Sequence, residues 1–115
     1  MDSGAMLNNV GAAITAGLGV MGLLRPSAAA AFTSMQPQGL TGVSEVRATY
    51  GGFFLVLGTY ALYAQAPTAF LIVGLAWLGA AAGRLLSVVI DRSYAATNLG
   101  GVVFETVIGA LLLAA

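Results

Sequence analysis

Four stretches of this 115-residue chain are nearly free of charge, and each is long enough to cross a lipid bilayer. A membrane-crossing helix needs about 20 mostly apolar residues. Hydrophobic residues make up 59% of the chain and charged residues 7%, whereas a soluble domain carries charge on about a quarter of its residues. We therefore predict an all-α integral membrane protein, a single domain over residues 1–115 that forms an antiparallel up-down four-helix bundle. The predicted spans cover residues 7–24, 44–64, 67–90 and 96–113.

Polar and helix-breaking residues separate these spans. The three breaks are Arg25-Pro26, Gln65-Ala66-Pro67 and Asp91-Arg92-Ser93. Proline disfavours helix in the residue before it and suits the first helical turn, so the first break ends a helix and Pro67 begins one. Ser44 is predicted to cap the N-terminus of the second span. Residues 28–35, in the first connector, are predicted to form a short helix lying in the membrane interface.

The positions of the arginines predict the orientation. All four fall towards the side of the membrane reached by the first and third connectors: Arg25, Arg47, Arg84 and Arg92. Basic residues accumulate on the cytoplasmic side of membrane proteins. We therefore predict a multi-pass protein of the cytoplasmic membrane, with both termini and the 65–67 turn on the outer side.

The absent residue types exclude several kinds of site. The chain contains no cysteine and no histidine, so it has neither thiolate nor imidazole ligands for zinc, copper or haem. We predict no metal, no cofactor and no catalytic residue set. The net charge is zero and no basic run occurs, so nucleic acid is not expected as a partner.

The most informative residues are the charged ones placed inside the predicted spans: Glu45, Arg47, Arg84 and Glu105. In an up-down bundle all four lie in the cytoplasmic half, and their charges sum to zero. A charge facing lipid costs several kcal/mol, about 3 on insertion scales. We therefore expect these groups to face the interior of the bundle and to pair with one another.

Helix geometry limits which of them can pair. Glu45 and Arg47 are two residues apart, about 200° around a helix, so neither can reach the other. We predict one pair between Arg84 and Glu105, with Glu45 and Arg47 completing a wider polar network beside Tyr50. This network is either structural, holding helices together, or a site for ligand binding or proton coupling.

Small residues indicate where helices pack closely, because they allow two backbones to approach. We expect packing within the chain, rather than dimerisation, at six glycines: Gly51, Gly52, Gly79, Gly83, Gly101 and Gly109.

Three motifs together resemble an uncharacterised bacterial family of small four-helix membrane proteins that carry a domain of unknown function. The first is Glu45-Val46-Arg47-Ala48-Thr49-Tyr50-Gly51-Gly52, the second is Gly83-Arg84-Leu85-Leu86-Ser87, and the third is Glu105 in the last span. More distantly, the layout is similar to DoxX-like four-helix proteins, some of which are small subunits of membrane redox complexes. The resemblance implies a fold, a motif set and the bacterial inner membrane, and it implies no reaction.

These observations favour a non-enzymatic accessory, assembly or interaction subunit. The lipid bilayer is its expected environment, and a larger membrane complex or a second copy is its expected partner. One alternative is a module that binds a lipid, a quinone or another hydrophobic small molecule at Glu45, Arg47, Tyr50, Arg84 and Glu105. A proton-coupled small transporter using Glu105 is a further alternative.

Overall fold

The computed structural model describes residues 2–115, and every regular element in this part of the chain is a helix. This confirms the all-α prediction. The elements are α1 (Ser3–Leu24), α2 (Pro26–Phe32), α3 (Gly39–Val46), a π-helical segment called here the π segment (Arg47–Phe53), α4 (Phe54–Ala64), α5 (Pro67–Ile90) and α6 (Ala96–Leu112).

Helix α5 begins at Pro67 and ends at Ile90, the bounds that the sequence predicts. Helix α1 begins at Ser3, earlier than predicted. The reason is a polar cap outside the apolar stretch, since the carboxylate of Asp2 accepts a hydrogen bond of 2.7 Å from the N–H of Ala5. An aspartate in this position satisfies a backbone donor of the first turn and favours the helix dipole.

The predicted N-cap at Ser44 is wrong. Helix α3 already begins at Gly39, whose φ of +63° suits a residue without a side chain. Ser44 lies inside the helix, where its hydroxyl donates to the carbonyl of Leu40 at 3.1 Å. Serine hydroxyls form this back-bond within helices as well as capping them, so the residue type alone did not place the boundary.

The chain stays helical from residue 39 to residue 64, although the turn widens in the middle. Both junctions have ordinary right-handed helical dihedrals: φ −61° and ψ −37° at Arg47, φ −66° and ψ −40° at Phe54. The π segment is therefore a bulge within one continuous helical run, and π-bulges occur frequently at functional sites.

The short helix predicted over 28–35 is observed over Pro26–Phe32. It begins two residues earlier, with proline in its first turn. Ser34 adopts a positive φ of +61° just after its end. The helix buries Pro26, Ala29 and Ala30.

The described residues form two compact units. The first, called here the α5–α6 unit, contains residues 2–11 and 65–115; the second, the α2–α4 unit, contains Ala12–Ala64. In the α5–α6 unit the rings of Trp77 and Phe104 meet edge to face, with centroids 6.3 Å apart. Ile108 and Leu112 of α6 are almost completely buried.

In the α2–α4 unit, the second half of α1 packs on residues 50–58 through backbone contact. A Cβ atom on Gly19 would collide with the backbone of Leu55, and one on Gly22 with the backbone of Tyr50. A small cluster of Ala29, Ala30 and Val46 joins α2 to α3. Glycine is thus required where these backbones meet.

Two helices, Ser3–Leu24 and Pro67–Ile90, are long and apolar enough to cross a membrane by length and composition. Helix Ala96–Leu112 is apolar but shorter. A signal sequence near the N-terminus or the core helix of a soluble protein meets the same criterion, so four membrane crossings in an up-down bundle remain a prediction.

Candidate functional site

The strongest polar interaction in the α5–α6 unit joins Arg84 of α5 to Glu105 of α6. Nε of Arg84 donates to Oε1 of Glu105 at 2.8 Å, and Nη2 donates to Oε2 at 3.1 Å. Two parallel N–H···O bonds of this kind match the planar fork of arginine to a carboxylate and are stronger than neutral hydrogen bonds. This is the ion pair that the sequence predicted.

Two further polar side chains extend the pair towards the loop before α6. Nη1 of Arg84 donates to the side-chain oxygen of Asn98 at 3.0 Å. The amide nitrogen of Asn98 in turn donates to both the carbonyl and the hydroxyl oxygen of Ser93, each at 3.1 Å. The guanidinium is thereby held on two edges, one by a carboxylate and one by an amide that the loop fixes in place. Neither Asn98 nor Ser93 was predicted, because neither carries a charge that would single it out.

Glycine lets the arginine lie flat against α6. A Cβ atom on Gly101 would be 2.8 Å from Nε of Arg84 and 2.9 Å from Cζ. Gly101 also lies one helical turn before Glu105, so the same face of α6 provides the space and the acceptor. The Glu105 side chain is 11% exposed and that of Arg84 is 29% exposed. The carboxylate is therefore enclosed, while part of the arginine reaches the surface.

Arg47 belongs to the α2–α4 unit and has a different role. Its Nε donates to the carbonyl of Leu23 at 3.0 Å. Leu23 lies in the last turn of α1, where helix carbonyls have no partner within the helix. A cation at this position also offsets the negative end of the helix dipole. Arg47 thus caps the C-terminus of α1.

Glu45 and Tyr50 complete the set of predicted site residues. Glu45 is exposed, and within its own unit its carboxylate has no hydrogen-bond or ion-pair partner among the described residues. Tyr50 is half-buried, its hydroxyl lies 4.0 Å from the sulfur of Met35, and its ring meets Phe54 edge to face at 5.7 Å. The wider network that would join these residues to Arg84 and Glu105 remains a prediction.

The six predicted packing glycines behave differently from one another. A Cβ on Gly51 would lie 2.8 Å from Leu23, and one on Gly109 would lie 2.6 Å from Leu78, so both are close-packed. Gly52 has only a distant neighbour, the carbonyl of Arg47 at 3.9 Å. At Gly79 and Gly83 no atom of the described part of their own unit lies within 4 Å of a Cβ position. Within the unit, packing at these two glycines is not observed, because spacing alone does not say which helix face meets a neighbour.

A group of amide side chains in the α5–α6 unit was not predicted from the sequence. Asn9 and Gln65 exchange two hydrogen bonds, at 2.6 and 3.2 Å, and tie α1 to the turn before α5. Asn8 is buried, and with its NH2 group turned to the end of α6 it donates to the carbonyls of Leu111 and Leu112 at 2.8 and 3.0 Å. Consecutive asparagines at the start of an apolar stretch were the available signal.

The motif that begins at Glu45 coincides with the π segment, since Arg47 to Gly52 all lie within Arg47–Phe53. The pair Gly51-Gly52 has low helix propensity and no side chains to resist widening of the turn. In this segment the chain both caps α1 through Arg47 and brings its backbone against Gly22.

A comparison with protein families matches residues 6–115 to the family described as Domain of unknown function (DUF4345). No curated protein and no solved structure matches the chain. The match agrees with the resemblance to a domain of unknown function, while the bacterial origin, the motif set and the relation to DoxX-like proteins remain predictions.

Proposed function

The chain belongs to the DUF4345 family, whose description assigns no activity, and we propose from its geometry that it is a four-span integral membrane protein acting as an interaction subunit. The observation that supports this most is an inverted distribution of polarity. Large apolar side chains are exposed along α5 and α6, including Leu86, Val89 and Val107, while the carboxylate of Glu105 is buried in an ion pair. A water-soluble protein avoids such extended apolar surface.

The helix lengths are compatible with four crossings. Helices α1 and α5 meet the length and hydropathy criterion. The run over residues 39–64 is divided only by the π segment, and it exceeds the roughly 20 residues that a crossing needs. Helix α6, with 17 residues, lies at the short end of the range. In this proposal the four helices alternate in direction across the bacterial inner membrane, with both termini in the periplasm.

The role as an interaction subunit is supported by how the buried charges are used. All three side-chain nitrogens of Arg84 donate to Glu105 or Asn98, and these bonds link α5 to α6. Such a pair stabilises one arrangement of two helices in a low-dielectric environment. The apolar faces outside the pair remain available for lipid and for a protein partner.

Single-cysteine labelling tests the membrane topology without background, because the chain contains no cysteine. We expect Gln36→Cys and Tyr94→Cys to react with an impermeant maleimide only from the cytoplasmic side, and Ala66→Cys only from the outer side. The unmodified chain serves as the control. Labelling of all three positions from one side, or release of the protein by alkaline carbonate, would contradict the proposal.

Native mass spectrometry after extraction in a mild detergent tests the interaction role. We expect a stoichiometric assembly heavier than the 11.5 kDa chain, containing a second copy or a membrane partner. A chain that always appears alone, whether extracted from its own membrane or from a heterologous host, would contradict it.

A binding module for a lipid, a quinone or another hydrophobic molecule is a second candidate, and one observation favours it. Arg84 is more exposed than its partner Glu105, at 29% against 11% of the side chain, so part of a buried ion pair is accessible from outside. In native mass spectra, Arg84→Ala should then lose a bound molecule that Arg92→Ala retains. Arg84→Lys, which keeps the charge but not the fork, controls for misfolding. Identical spectra for all three variants would exclude a site at Arg84.

A further inference from the structure

The end of the α2–α4 unit where α1 meets α2 presents two arginines at neighbouring points of the backbone. Arg25 is fixed at the junction, since its N–H donates to Met21 at 2.8 Å and its carbonyl accepts from Ala29 at 3.0 Å. The guanidinium of Arg47 is anchored on the carbonyl of Leu23. Leu23 and Arg25 are two residues apart, at most about 7 Å of chain. The guanidinium of Arg47 and the backbone of Arg25 therefore both lie at the C-terminal end of α1.

The two arginines differ in what they already bind. Nε of Arg47 is used for capping α1, whereas within the α2–α4 unit the guanidinium of Arg25 forms no hydrogen bond or ion pair with a described residue. Arg25 is exposed. It is thus a fixed backbone position carrying an accessible cation.

An apolar side chain projects beside Arg25. Leu24 is 73% exposed, among the highest values for large apolar residues in the described chain. Next along the chain, α2 turns Pro26, Ala29 and Ala30 inwards. The C-terminal end of α1 therefore offers a leucine side chain and a cation to its surroundings, the combination found where protein meets the boundary between lipid headgroups and acyl chains.

The charge balance of this end favours an anionic surface. Glu45 is its one acidic residue and is exposed, against two arginines, so the net charge is positive. Arginine binds phosphate through the same fork with which it binds carboxylate. The cytoplasmic leaflet carries the anionic lipids to which juxtamembrane basic residues are attracted.

We infer that the surface formed by Leu24, Arg25 and Arg47, called here the α1-end surface, binds an anionic phospholipid. Arg25 contacts the headgroup phosphate, and Leu24 lies among the acyl chains. The inference rests on the proposed membrane location and adds the class of lipid and the residues that select it.

Competition between two lipids tests this inference. The detergent-solubilised protein is equilibrated with equal amounts of phosphatidylglycerol and phosphatidylcholine of identical acyl chains, and the bound ratio is read by native mass spectrometry. Arg25→Gln should lower the ratio of bound phosphatidylglycerol to phosphatidylcholine about fivefold, the factor expected for one basic residue at an anionic surface. Arg92→Gln, which removes an exposed arginine in the α5–α6 unit, should lower the ratio less than Arg25→Gln does.

The outcomes separate this inference from the proposed function. Flotation of each variant with vesicles reports membrane association independently of lipid choice. If Arg25→Gln floats with vesicles as the wild type does and keeps the wild-type lipid ratio, the assignment of lipid binding to the α1-end surface is wrong. The proposal of a membrane protein then stands. An equal fall in the lipid ratio for Arg25→Gln and Arg92→Gln would mean that positive charge anywhere in the chain selects the lipid. This result would also overturn the assignment. Failure of the wild type to float would overturn the membrane proposal itself.

Discussion

The two units of the molecule hold their helices together by different means. In the α5–α6 unit, contact is made largely by side chains, through the Arg84–Glu105 pair and the rings of Trp77 and Phe104. In the α2–α4 unit, α1 packs against residues 50–58 with almost no side chain between the two backbones, at positions such as Gly22. Side chains can adjust to a change in a neighbour and a backbone cannot, so the two units should respond differently to mutation.

The largest effect is expected where backbone meets backbone. Gly22→Ala places a methyl group into the backbone of Tyr50, and neither helix can yield without moving as a whole. We expect a loss of about 3 kcal/mol, the upper end for overpacking, seen as a lower unfolding temperature in detergent. Gly17→Ala is the matched control on the same helix, since no other described part of the α2–α4 unit lies within 4 Å of its Cβ position. Equal changes in unfolding temperature for the two substitutions would contradict the backbone contact between Gly22 and Tyr50.

A smaller loss is expected from breaking the ion pair. Glu105→Ala leaves Arg84 without its carboxylate and should cost about 2 kcal/mol, less than for a sealed pair because 29% of the Arg84 side chain is exposed. Denaturant titration in micelles measures this. Thr106→Ala is the control, because its exposed hydroxyl only back-bonds to Val102. If exchanging the charges between positions 84 and 105 recovers none of the loss, the pair does not supply the stability.

The same contrast explains what could be predicted from sequence. The Arg84–Glu105 pair was predictable because charge inside an apolar stretch is rare and demands a partner. The start of α5 was predictable because Pro67 restricts the backbone locally. Both predictions depend on properties of single residues that hold in almost any context.

Contacts that depend on which faces meet could not be predicted in this way. Glycines of similar spacing proved close-packed at Gly109 and open at Gly79. The widening of the helix into the π segment left no recognisable signal beyond Gly51-Gly52. The role of Arg47 depends on the position of a carbonyl 24 residues away. Spacing within one helix specifies a face, and only the neighbouring helix decides what that face contacts.

In the α2–α4 unit, Arg47 is the charged side chain that contacts the end of α1. Arg47→Gln removes the guanidinium that caps Leu23 and should cost about 1 kcal/mol, the value typical of a cation at a helix C-terminus. The midpoint of thermal unfolding measures the effect, with Arg92→Gln as the control for loss of an exposed arginine. A loss as large as that of Gly22→Ala would mean that this unit, too, is held by a charged side chain.

The smallest effect is expected at the amide pair of the α5–α6 unit. Gln65→Ala and Asn9→Ala each remove the reciprocal bonds of 2.6 and 3.2 Å, and each should cost about 0.5 to 1 kcal/mol, since Gln65 is exposed and water can replace its partner. The double variant should lose less stability than the sum of the two single variants, because both substitutions abolish the same pair of bonds. The free energy of unfolding of the wild type, the two single variants and the double variant, measured in one detergent, completes the double-mutant cycle. Strict additivity would mean that the two amides act separately, and side-chain contact in this unit would then reduce to the ion pair and the apolar core.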